Sequence, residues 1–149
     1  MLRKLIATRN DVSLLVIRVV LGAVMLPHGY QKLMNFSATL NAFSGGMGIP
    51  KPLAVLVILA ESVGGLMLVL GLVGRLGALG VAAVMVGAIV KVHAPNGFFM
   101  NWYGNQKGEG FEYHLLAIAM ALAVMIGGSG ALSIDGVLQR RRQTAEAPL

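Results

Sequence analysis

Four long apolar runs, at residues 11–33, 52–73, 75–93 and 113–132, alternate with polar or glycine-rich gaps. A bilayer core takes about 20 helical residues to cross, and each run is near that length. Only Leu76 to Val90 of the third run is free of charge, so Arg75 and Lys91 are expected to snorkel to opposite surfaces. Gly71-Leu72-Val73-Gly74-Arg75, between the second and third runs, leaves room only for a tight antiparallel turn. The pattern predicts an all-α, polytopic membrane protein, an antiparallel four-helix transmembrane bundle with both termini on one side. Residues 1–142 read as a single four-span domain and 143–149 as a disordered tail.

Finer patterning adds detail. Phe36, Leu40 and Phe43 repeat at i, i+4 and i+7, followed by Gly45, Gly46, Gly48, Pro50 and Pro52. They predict an extra interfacial helix in the first outer loop, with one aromatic face. Gly80, Ala83 and Gly87 form a small-residue stripe on the third run, and Ala117 and Ala121 do so on the fourth. Such stripes let helix backbones approach closely in lipid. Arg3 and Lys4 precede an apolar stretch as in a signal peptide. Arg18 interrupts that stretch and no small-residue cleavage site follows, so the segment is read as a span.

Composition agrees with this reading. The 149 residues are 56% hydrophobic and 12% charged, with a mean hydropathy of +0.77. Cysteine is absent, which excludes disulfides, thiolate metal sites and a cysteine nucleophile. The net charge of +6 does not form a basic stripe, so nucleic acid is not an expected partner. Arg3, Lys4, Arg9, Arg75, Arg140, Arg141 and Arg142 lie on the terminal side of the spans, against Lys32, Lys51, Lys91 and Lys107 on the other. That asymmetry favours cytoplasmic termini.

Candidate chemistry gathers on the far side. All nine aromatic residues and all three histidines fall in or beside the first and third gaps. Arg18 and Glu61 are charges deep inside spans, where each should have a partner. Counting depth at about 1.5 Å per residue brings them within reach of one another, as a structural ion pair or as a proton-relay carboxylate. His28, Lys32, His93, Glu112 and His114 share one depth. Their spacing lacks the paired pattern of a metal site, so a metal is disfavoured. A proton-coupled quinone site is the sharper reading. Phe98, Phe99, Trp102 and Tyr103 would wall a flat slot, and His28 or His93 would supply a donor and a proton. An ordinary interfacial aromatic belt is the bland alternative.

Several of these features resemble the DoxX family of small four-span membrane proteins. They are His28-Gly29 with Lys32-Leu33, Gly48-Ile49-Pro50, Glu61 with Gly64-Gly65, Leu70-Gly71, Lys91-Val92-His93, Asn96-Gly97-Phe98-Phe99 and Glu112-Tyr113. The resemblance runs from about Leu14 to Asp135. It implies a bacterial inner-membrane subunit of a quinone-linked oxidoreductase system, tied to thiosulfate and sulfur oxidation or to oxidative-stress defence. Expected partners are membrane lipid, a redox protein and a second copy of the chain. On this reading His28, Glu61 and His93 handle protons, while Arg18, Lys32, Phe98, Phe99, Trp102, Glu112 and His114 hold the quinone. A non-enzymatic scaffold or assembly subunit, or a small-solute binding or transport module, would fit the same residues.

Overall fold

The computed structural model describes residues 2–146, and every regular element among them is helical. Helix α1 is Leu2–Ile6, α2 Val12–Met34, α3 Phe36–Asn41, α4 Lys51–Leu70, α5 Gly74–Ala88, α6 Glu112–Gly127 and α7 Ile134–Glu146. A wide turn at Ala42–Gly46 extends α3, and turns at Ile89–His93 and Ala94–Asn96 extend α5.

Val12–Met34, Lys51–Leu70 and the continuous stretch Gly74–Asn96 are long and apolar enough to cross a membrane. Helix α6 is apolar too, but it ends at Gly127 after 16 residues, short of the expected 113–132. The cause lies just beyond it. Gly128 adopts φ 89°, and a Cβ there would stand 2.5 Å from the Ala7 carbonyl oxygen. The chain therefore turns where it meets the segment before α2. The Ala131 N–H donates to the Asp11 carbonyl at 2.9 Å and the Gly130 N–H to Thr8 Oγ1 at 2.7 Å. Helix α7 runs to Glu146, into the stretch read as tail, and residues 147–149 lie outside the described ones.

Helices α2, α4, α5 and α6 pack in a closed ring, each against two neighbours. Leu21, Met25, Leu68, Ala78, Val81, Met85, Ala117, Ala121 and Val124 make one core drawn from all four. The outer faces are apolar as well. Val12, Val16, Val20 and Val24 line an exposed stripe on α2 at helical spacing, and Leu56, Leu59, Val63 and Leu66 another on α4. Faces of this kind suit lipid as the surrounding solvent. With no hydrophobic drive between helices in lipid, close backbone contact has to hold them. A Cβ on Gly29 would fall 2.4 Å from Ser62 N, and one on Gly77 would fall 2.8 Å from the Gly64 carbonyl oxygen.

Charged side chains close the helix ends at the α4–α5 turn. Arg18 is 1% exposed. Its Nε donates to the Ser129 carbonyl, Nη1 to Leu68 and Val69, and Nη2 to Ala131 and Leu132, at 2.5–3.1 Å. Buried Asp135 accepts from Val73 N at 2.8 Å, Gly74 N at 3.1 Å and Ser129 Oγ at 2.6 Å. Leu68 and Val69 close α4 and Gly74 opens α5, so these are the groups a helix cannot satisfy itself. The expected contact of Arg18 with Glu61 is absent. Helix α4 ends at Leu70, nine residues beyond Glu61, or about 13 Å along the axis, and Arg18 engages that end. Arg75 does not snorkel outward either. It donates to the carbonyls of Ala7, Met125 and Ile126, closing α6.

Two substitutions and one control test these contacts by thermal unfolding in micelles. Gly29→Ala should cost about 1–3 kcal/mol through overpacking, whereas Gly45→Ala, whose Cβ would meet nothing within 4 Å, should leave stability nearly unchanged. Arg18→Lys should also destabilise, by about 2 kcal/mol or more, because three donors on a flexible stem cannot serve five carbonyls.

Candidate functional site

Pinned together at the turn, α4 and α5 part towards their other ends. A Cβ on Gly80 would still meet Ala60 at 3.2 Å, whereas one on Gly87 would meet nothing within 4 Å. The gap is a groove of about 1280 Å³, open along one side. Its walls are apolar residues of the two helices, and Met25, His28 and Lys32 of α2 with Tyr113 and His114 of α6 stand at its back. Phe43, Met47 and Ile49 reach it from the first gap, Met100 and Glu109 from the third. Met25, Met47, Met67, Met85 and Met100 all line it. Methionine is unbranched and polarisable, so this lining can adapt to the shape of an apolar guest.

The polar end of the groove follows from helix register. The close approach of Gly29 to Ser62 sets Lys32, nearly one turn on in α2, beside Glu61, the residue before Ser62. Lys32 Nζ donates to Glu61 Oε2 in an ion pair whose carboxylate side is nearly buried. Across the groove the His93 and His114 rings lie 4.1 Å apart between centroids. His93 Nδ1 sits 2.8 Å from the Glu109 carbonyl oxygen. A carbonyl only accepts, so Nδ1 carries the hydrogen and Nε2 is the free acceptor of the neutral ring. The Tyr113 ring stands edge-on to His114 at 5.5 Å. Tyr113 Oη and His114 Nδ1 are both buried without a hydrogen-bond partner.

The structure therefore brings His28, Lys32, Glu61, His93 and His114 to one groove. It does not bring the remaining candidates there. Arg18 is at the opposite end of α4, with its donors engaged by carbonyls. Glu112 opens α6, with its backbone N–H on the Phe98 carbonyl, and its side chain is not part of the lining. Phe98, Phe99 and Trp102 are not in the lining of this groove. Phe98 packs edge-on against Phe99 and Phe111, while Trp102 is 77% and Tyr103 90% exposed. Aromatics on a loop turn wherever its backbone sends them, whereas a helix fixes side-chain direction. Phe43 and Tyr113 are the aromatics that reach the groove, and for Tyr113, inside α6, the helical position was the available signal. Among the described residues no group of three or more His, Asp or Glu side chains converges as a metal site requires.

The sequence has relatives among known proteins. The family model described as DoxX matches residues 13–94, which include both groove walls and His28, Lys32, Glu61 and His93. CatD of Bacillus subtilis strain 168, whose name assigns it provisionally to the oxidoreductases, is 32% identical over 127 residues, covering 84% of this chain and 86% of its own length. The inner membrane protein YqjF of Escherichia coli strain K12 is 28% identical over 132 residues, covering 89% of this chain and 96% of its own length. No solved structure matches.

Lys32 and Glu61 should behave as a coupled pair in a double-mutant cycle read by thermal unfolding. Lys32→Met alone strands a carboxylate in an apolar groove and should cost about 3–5 kcal/mol, whereas adding Glu61→Leu should restore much of that loss. Additive effects would mean that the pair is not formed.

Proposed function

This chain belongs to the DoxX family, and on that premise we propose that it is the membrane subunit of a quinone-linked oxidoreductase system. It seats a quinone, or a similar flat lipophile, in the groove between α4 and α5. In this reading α6 is a fourth, short span, α3 lies in the interface, and the chain sits in a bacterial inner membrane with both termini cytoplasmic. The excess of arginine and lysine at the terminal side supports that orientation. The histidine end of the groove then opens on the extracytoplasmic half of the bilayer.

The observation that carries the reading is an apolar, laterally open groove that ends on titratable groups. A lipid-soluble ring can enter from the bilayer without crossing water and meet donors at the far end. The orphaned Tyr113 Oη and His114 Nδ1 fit a guest that brings its own oxygens. A bound quinone supplies the redox chemistry, taking up two electrons and two protons. The chain's own residues hold the ring and the protons. Lys32 Nζ donates to Glu61 Oε2 at the groove, and Nε2 of His93 stands as a free acceptor. With no cysteine in the chain, electrons come from a partner protein, in sulfur oxidation or in oxidative-stress defence.

A scaffold reading has one observation in its favour. Gly80, Ala83 and Gly87 all line the groove, and such a stripe also receives a partner helix. Extraction of lipophiles from protein purified into nanodiscs separates the two. Wild-type protein should carry quinone. Gly87→Trp, which builds into open space, should lose most of it at an unchanged unfolding midpoint. Absence of quinone from the wild type, with a second chain co-purifying and displaced by Gly87→Trp, would establish the scaffold instead.

A further inference from the structure

Two features of the groove bear on what its occupant looks like. The first is its charge balance. Lys32 and Lys91 line it together with Glu61 and Glu109, and Lys32 is already committed to Glu61. No uncommitted cationic cluster waits there for an anion. The second is the pair of orphaned atoms. His114 is 6% exposed, yet its Nδ1 makes no well-formed hydrogen bond, the Phe111 backbone being only a loose neighbour, and the buried Oη of the adjacent Tyr113 has none. A buried hydroxyl or imidazole nitrogen left unpaired costs roughly 1–3 kcal/mol, so such groups usually have a partner. Both residues belong to the groove lining.

We propose that Tyr113 and His114 form the hydrogen-bonding seat for the head of an uncharged, oxygen-bearing ring. This seat, rather than the Lys32–Glu61 pair, selects what the groove takes. The inference rests on the quinone-site reading above and sharpens it to a class of ligand head. Tyr113 Oη donates to a ring oxygen, and His114 Nδ1 pairs with an oxygen as donor or acceptor according to its tautomer. Small oxyanions are poor ligands here, because Lys32 is already paired and Lys91 is a single, exposed cation. The position of the seat suits its task. Tyr113 and His114 sit in the first turn of α6, their direction fixed by a helix bonded through the Glu112 N–H to the Phe98 carbonyl at 2.9 Å.

The test uses nanodisc-embedded protein freed of native lipophiles and three probes: a decyl-substituted benzoquinone, decylbenzene and thiosulfate. Tyr113→Phe should weaken the benzoquinone about tenfold, the worth of one well-made hydrogen bond. It should change decylbenzene binding little, and the ligand-free unfolding midpoint should not fall, because the hydroxyl is unpaired in the free protein. His114→Leu should weaken the benzoquinone in the same way, and His114→Asn, which returns a polar atom near the δ position, should recover part of the loss. Thiosulfate should neither bind nor compete.

A fall in the ligand-free midpoint of Tyr113→Phe would overturn the proposal, since the hydroxyl would then have a structural partner such as a held water. Equal weakening of both decyl probes, or competition by thiosulfate, would overturn it too. Wild-type protein that binds both decyl probes, with variants that bind them as well, sinks the seat but leaves the groove as a lipophile site. Wild-type protein that binds neither probe removes the quinone reading along with it.

Discussion

A helix that ends where water is scarce has to satisfy its terminal carbonyl and amide groups from within the protein. Arg18 does this for one end of the bundle. All five of its N–H groups point at carbonyl oxygens, two on the last turn of α4 and three on the 129–132 turn. Asp135 does the complementary work on the amides of Val73 and Gly74, and Arg75 closes α6. Each sign sits where the helix dipole favours it, cation at C-termini and anion at an N-terminus. With the α4–α5 hairpin fixed at its turn and tightened by Gly64 against Gly77, the two helices can separate only at the other end. The groove is a consequence of that one-sided anchoring.

The same logic separates the polar groups that hold the fold from those left over for the proposed site. Arg18 is deeply buried and charged, which made it attractive as a ligand-binding residue, but no donor is left over. Lys32 and Glu61 are half spent, each on the other. The Tyr113 hydroxyl and the His114 Nδ1 are buried and unspent. Burial and charge, the properties a sequence displays, do not rank these residues. Whether each polar atom already has a partner does.

Much of the architecture was legible because run length and turn chemistry are local. The three long helices start and stop within a few residues of the apolar runs, and Gly71 at φ 64° turns the chain where a glycine was needed. The histidines were also expected at one level, and the His93 ring does lie against that of His114. What failed depended on contacts distant in sequence. The Arg18–Glu61 pairing rested on depths counted along each helix separately; Arg18 instead engages the Leu68 and Val69 carbonyls at the end of α4, and Glu61 pairs with Lys32. The 16-residue length of α6 was hidden because Gly128 is displaced by Thr8 and Ala7, which lie at the other end of the chain. Asp135 and α7 carry too little hydrophobic patterning to announce a buried carboxylate.

The one-sided aromatics divide into two populations once the backbone is known. Trp102, Tyr103 and Phe99 stand outward, where amphipathic rings are at home in a membrane interface. They contribute to the groove only through the loop they belong to. That loop is tied down by the Phe111 N–H on the Gly97 carbonyl at 3.2 Å and by the Asn101 N–H on Glu109 Oε2 at 2.7 Å. Its product is a single backbone carbonyl, that of Glu109, held against His93 Nδ1 and also bonded by Asn96 Nδ2 at 3.1 Å. A carbonyl in that position dictates which nitrogen of His93 keeps its hydrogen and which stays free. The loop thus acts on the groove through main-chain geometry. An aromatic-rich stretch therefore shapes the groove without any of its exposed rings lining it.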